Sequence, residues 1–164
     1  MIDLGMLAKL YRFNVELIEK HTDGVSHEES LKPLAIDGNS INWLLGHIIS
    51  ARTSIFEYVP FDPVWNEAQR VRYRHGSANV TADEPGVIKL EQLLADFLES
   101  QKRLEAGLAQ LPIEHLTHPT GYGTWTLGGR LTYLQFHETH HVGQLMSAAQ
   151  AIGRDGGWLA DPTL

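Results

Sequence analysis

Four stretches of this chain repeat apolar residues at intervals of three and four, the spacing that lines up one face of an α-helix, and no period-two pattern is sustained. The first carries Leu4, Leu7, Leu10, Tyr11, Asn14, Leu17 and Ile18 and ends near His21-Thr22-Asp23-Gly24. The second follows Asp37-Gly38-Asn39-Ser40, where Asn39 or Ser40 can cap the free backbone N–H groups. It runs through Ile41, Leu44, Leu45, Ile48, Ala51 and Ile55 towards Pro60. Leu90, Leu93, Leu94, Phe97, Leu98, Leu104, Leu108 and Leu111 form the third, closed by Pro112. A fourth starts near Thr126, carries Leu127, Leu131, Leu134, His141, Leu145 and Ala149, and stops at Gly153. These patterns predict an all-α fold, a four-helix bundle forming a single domain over residues 1–164. Residues 60–86 make a long crossover between helices two and three, with room for a short extra helix. Residues 112–125, rich in glycine and aromatic side chains, predict a second rim loop.

Composition removes several function classes. With no cysteine, the chain has no disulfide, no thiolate nucleophile and no thiolate-bound zinc, so a metal must be held by His, Asp or Glu. A formal charge of −7 argues against a nucleic-acid partner. The one basic cluster, residues 70–75, reads as a solvated loop. No stretch approaches the roughly 20 apolar residues that span a bilayer, and the N-terminal segment intersperses charges with apolar residues. A cytoplasmic protein with no membrane partner is the expectation.

The histidines are unevenly placed. On a helical wheel measured from Leu134, His141 falls at about −20°, inside the apolar stripe, His137 at about −60° on its edge, and His140 at about −120°. His137 and His141, one turn apart, therefore point inward together, and His140 reads as a surface residue. In the second helix His47 lies at about −60° from Leu44, on the shoulder of the apolar face. A neutral imidazole there wants a partner for each nitrogen, which either a metal or a hydrogen-bond network can supply. His21, His27, His75, His115 and His118 fall in or beside loops and read as solvated, His118 being the nearest to the rim.

Residues 137–141, His-Glu-Thr-His-His, also spell the H-E-x-x-H of zinc proteases, with Glu138 as general base. That reading demands a third ligand downstream. After His141 no His or Glu remains and only Asp155 and Asp161 are candidates, while Gln144 and Ser147 stand where the extended motif needs Gly and His. Glu138 falls near +40° on the wheel, facing the core, where it can orient a ligand or a neighbouring helix. The peptidase reading is disfavoured.

The segments Asn39-Ser-Ile-Asn-Trp-Leu-Leu-Gly-His-Ile48 and Leu131-Thr-Tyr-Leu-Gln-Phe-His-Glu-Thr-His-His-Val-Gly-Gln-Leu145 resemble the DinB-like superfamily of metal-binding four-helix bundles. The resemblance covers nearly the whole chain, including helix order, the long crossover and an H-x-x-x-H-x-G-Q signature at His137, His141, Gly143 and Gln144. It implies a divalent metal, commonly zinc or nickel, held by His47, His137 and His141, in a cytoplasmic homodimer. Related proteins include S-transferases that use low-molecular-weight thiols and others described as metal-dependent hydrolases. The implied function is thus a metal-dependent thiol transferase or hydrolase acting on a small-molecule substrate. A non-catalytic metal-binding bundle with a structural or stress-related role stands as the alternative. Tyr122, Trp125 and Arg130 are expected near the rim, where Arg130 can hold a carboxylate or phosphate or simply form a surface ion pair. Gln144 can support a ligand imidazole through its other nitrogen.

Overall fold

The structure is a computed structural model that describes residues 2–34, 38–154 and 157. Along the chain run α1 (Leu4–Thr22), the one-turn α2 (His27–Ser30), α3 (Ile41–Phe56), the short α4 (Glu67–Tyr73), α5 (Leu90–Gln110), a 3₁₀ turn (Ile113–Thr117) and α6 (Leu127–Ala151). No strand occurs among the described residues; Pro33 bridges Ser40 and Pro119 bridges Thr126 as isolated pairs. Asp37, Asp155 and Asp161 lie outside the described residues. No helix of the described residues is long and apolar enough to cross a membrane.

Short polar side chains start the long helices by accepting from N–H groups that have no partner inside the helix. Asp3 accepts from the Met6 N–H at 2.9 Å, Ser40 from Trp43 at 3.2 Å and Thr126 from Gly129 at 3.3 Å. Of the two caps the sequence offers for α3, Ser40 is therefore the one used. The four long helices form a ring: α1 packs on α5 and α6, and α3 packs on the same two. Helices α1 and α3 thus stand at opposite corners, and every long helix lends one apolar face to a shared interior.

That interior has two apolar clusters. Leu44, Leu45, Ile48, Leu93, Phe97, Val142 and Leu145 belong to one. Leu7, Tyr11, Ile55, Leu104, Leu108, Leu131 and Leu134 belong to the other. The Arg52 guanidinium lies 4.2 Å from the Phe97 ring centroid and 5.6 Å from that of Tyr11, at the junction of the two.

Residues 41–50 of α3 are buried on every side, more than a bundle helix with one apolar face requires. The cause is α4, which lies in the crossover and covers the outer face of α3. Residues 67–73 are thus the short extra helix for which the crossover had room, with Asn66 and Gln69 capping its start reciprocally; of the basic cluster at 70–75, read as a solvated loop, residues 70–73 are helical. Gly46 permits the approach: a Cβ there would lie 2.1 Å from Cδ1 of the buried Tyr73. Gly46→Ala is expected to cost about 1–3 kcal/mol through overpacking, read as a lowered urea midpoint with an unchanged slope.

Two expectations are corrected. Leu98, counted in the apolar stripe of the third helix, is exposed, because the buried positions of α5 follow Leu93, Phe97, Ser100, Gln101 and Leu104. His21 is buried rather than solvated, because it still belongs to the last turn of α1, where its Nδ1 donates to the Leu17 carbonyl at 2.9 Å.

Candidate metal centre

Packing of α3 against α6 brings His47, His137 and His141 together, one from the first helix and two from the second. Ring centroids are 5.3 Å apart for His47 and His137, 4.6 Å for His47 and His141, and 4.5 Å for His137 and His141. One nitrogen from each ring lies within 4.8 Å of the others. Among the described residues this is the one group of three His, Cys, Asp or Glu side chains whose donor atoms come so close. His140 is exposed on the outer side of α6, as the wheel predicts. His115 and His118 are also exposed, and their rings pair with each other 4.8 Å apart.

Local structure fixes each ring. His47 stacks on Trp43 one turn earlier, with centroids 4.7 Å apart and planes 9° from parallel. Its Nδ1 is 2.8 Å from the Tyr73 carbonyl oxygen; a carbonyl only accepts, so Nδ1 carries the proton and Nε2 keeps its lone pair. His141 is held in the same way, its Nδ1 donating to Gln144 Oε1 at 2.7 Å. Its free Nε2 lies 3.2 Å from Nε2 of His137. Two bare lone pairs at that distance repel, so the contact needs a proton on His137 or a cation shared by the two rings. Neighbouring ligand nitrogens at about 2.05 Å from a tetrahedral zinc ion are about 3.3 Å apart, so the observed spacing fits one ion. The donor set also fits: three neutral nitrogens, two of them with the opposite nitrogen anchored to an oxygen.

Desolvation keeps these rings neutral. Burial pushes His137 and His141 down to about 4, and the neighbouring imidazoles add to the shift of both. Burial also lowers His47, against the opposing pull of its bond to Tyr73. In unfolded chains imidazole titrates near 6.5, so between about 4 and 6.5 the unfolded state binds more protons than the folded one. Metal-free protein is therefore expected to keep the full contribution above about pH 6.5 and to lose it as pH falls towards 4. Melting temperatures measured across that interval check this, and a flat profile would contradict it.

The wheel is corrected in one respect. His141 and His137 are both half-buried, and the inward positions between Leu134 and Leu145 belong to Glu138 and Val142. The stripe is rotated because a carboxylate occupies it. Glu138 accepts from Arg52 Nε at 2.7 Å and Nη2 at 2.9 Å, and from Asn14 Nδ2 at 3.2 Å. Arg52 also donates to Gln101 Oε1 and Ser100 Oγ, each at 2.8 Å. Both Glu138 oxygens are engaged in the bundle interior, so the zinc-protease role for this carboxylate is not met. Arg52 was not anticipated, although it falls at about 80° from Leu44, within the apolar arc of its helix. An Arg and a Glu each inside an apolar arc were the signal for their pairing.

Beside the histidines opens a cleft of about 280 Å³, with His47, His137, Ser50, Tyr133 and Leu134 among its walls. Arg70, Arg74, His75 and Arg130 also line it. His75 is exposed as expected, but it belongs to this cleft. Of the expected rim residues, Arg130 reaches the cleft, Tyr122 lies against Arg130, and Trp125 packs on Tyr133.

Among curated proteins, none matches this chain at a significant level. A family model, that of the DinB superfamily, matches residues 10–145, a span that holds all four long helices except for the outer turns of α1 and α6. With the helical bundle and the three converging histidines, that match identifies the chain as a member of the DinB superfamily.

Proposed function

We propose that this protein is a metal-dependent enzyme that transfers or hydrolyses a small molecule at a divalent ion, zinc or nickel, held by His47, His137 and His141. The observation that carries the reading is three neutral imidazoles beside an open cleft, with no fourth His, Asp or Glu joining the group among the described residues. Structural zinc sites close with four protein ligands, whereas catalytic ones use three and leave a position for substrate. When bound, a divalent ion supplies positive charge undiminished by anionic ligands, lowering the pKa of a water or thiol beside it.

The chain's own residues do the positioning. Trp43 fixes the plane of His47, and the Tyr73 carbonyl and Gln144 amide hold the protons of His47 and His141 on the outer nitrogens. Glu138, paired with Arg52, is not available as a general base, which favours a nucleophile supplied with the substrate over peptide hydrolysis. A low-molecular-weight thiol is a co-substrate of that kind. The deciding experiment follows disappearance of a small electrophile on metal-loaded protein with and without an added low-molecular-weight thiol. Turnover that needs the thiol identifies a transferase, and turnover in water alone a hydrolase. Metal-loaded protein inert in both arms across a panel of electrophiles would contradict the enzymatic reading.

A further inference from the structure

We propose that the basic wall of the cleft is an oxyanion-recognition site, with Arg130 and Arg74 binding a carboxylate or phosphate group of the substrate. Its role as a substrate site rests on the reading of the three histidines as the reactive centre; its capacity to bind an anion does not.

The eight arginines of the chain divide sharply. Six have carboxylate partners: Arg12 with Glu105, Arg52 with Glu138, Arg70 with Glu67, Arg72 with Glu84, Arg103 with Glu99 and Arg154 with Glu29. Arg74 and Arg130 have none among the described residues, and both line the same cleft, whose walls contain no Asp or Glu. In a chain of net charge −7, two unpaired guanidinium groups sharing one acid-free concavity are not explained by composition.

Arg130 is also costly where it stands. It lies four residues into α6, near the helix end that favours negative charge, so it does not stabilise the helix through the dipole. Its Nε is buried without a hydrogen-bond partner among the described residues. The guanidinium is held in place by aromatic faces, 4.5 Å from the Tyr122 centroid and 5.6 Å from that of Tyr133. Tyr122 in turn donates its hydroxyl to Glu57 at 3.2 Å. A planar guanidinium fixed by stacking, with N–H groups unused, is preorganised for the two-pronged hydrogen bonding that carboxylates and phosphates accept. The same cleft is lined by His47 and His137, so an anion on this wall places the rest of a small substrate beside them.

Calorimetric titration of metal-loaded protein with inorganic phosphate, and separately with succinate, at constant ionic strength tests the site. Arg130→Met is expected to weaken binding at least tenfold, the loss of a charge-assisted hydrogen-bonded pair, with metal content unchanged. Arg130→Lys should recover only part of it, and Arg74→Ala should weaken it further. Lys102→Met, which removes an exposed charge from α5, should leave it unaltered. If phosphate alone binds, the recognised group is a phosphoryl; if succinate alone, a carboxylate. The proposal is overturned if Arg130→Met binds both anions as the unsubstituted protein does. It is equally overturned if binding is lost in metal-free His141→Ala but not in Arg130→Met, since the anion would then be held at the metal centre. Anion binding that persists in His141→Ala and fails in Arg130→Met upholds the site even if the metal reading fails.

Discussion

Arg52→Ala is expected to destabilise the protein by about 3–5 kcal/mol, as large a share of folding free energy as a single substitution removes from a domain of this size. Arg52 and Glu138 are each almost fully buried. Their attraction has to offset the desolvation of two charges, and the surrounding hydrogen bonds from Asn14 and to Ser100 and Gln101 make that possible. These residues come from α1, α3, α5 and α6, so one network touches all four corners of the bundle. Removing the arginine leaves a carboxylate in the interior without its cation, together with a cavity beside Phe97. Arg52→Met combined with Glu138→Leu, which removes both charges, should regain much of the loss. Urea unfolding of the single and double variants measures both effects. A double variant as unstable as Arg52→Ala would show that the pair's packing, and not its charge, is what matters.

The second large effect concerns the metal. His47→Ala, His137→Ala and His141→Ala should each reduce the metal content of purified protein to background, because a centre of three ligands does not retain an ion on two. His140→Ala, on the exposed side of the same helix, should retain about one ion per chain. Gln144→Ala removes only the acceptor for His141 Nδ1 and is expected to lower metal affinity about 10- to 100-fold, the usual effect of losing a partner of a ligand imidazole. Elemental analysis of protein purified without chelators, with circular dichroism to establish that each variant folds, checks the series. Equal losses in His140→Ala and His141→Ala would contradict the assignment.

The bundle was legible in the sequence because its long helices are amphipathic and three of them open on a side chain that caps the backbone. The pairing of His137 with His141 on one side of α6 and the outward turn of His140 followed from a spacing of four against three. Other features were hidden for physical reasons. The seven residues of α4 are too few to establish a period, and only the Asn66 and Gln69 capping pair marks the helix start. Its effect on Tyr73, and through Tyr73 on His47, is a tertiary contact that no local pattern encodes. Arg52 was not singled out because a charge is expected to face water unless a partner is known. The cleft's basic wall joins Arg74 to Arg130 across more than fifty residues, which becomes visible only once the crossover is folded back over α3.

The most direct test is anomalous diffraction from crystals of the metal-loaded protein, collected at the absorption edge of the bound ion. One peak per chain is expected in the space shared by His47, His137 and His141, within bonding distance of a nitrogen from all three. A peak elsewhere, or rings from α3 and α6 too far apart to reach the same ion, would contradict the metal centre and the chemistry built on it.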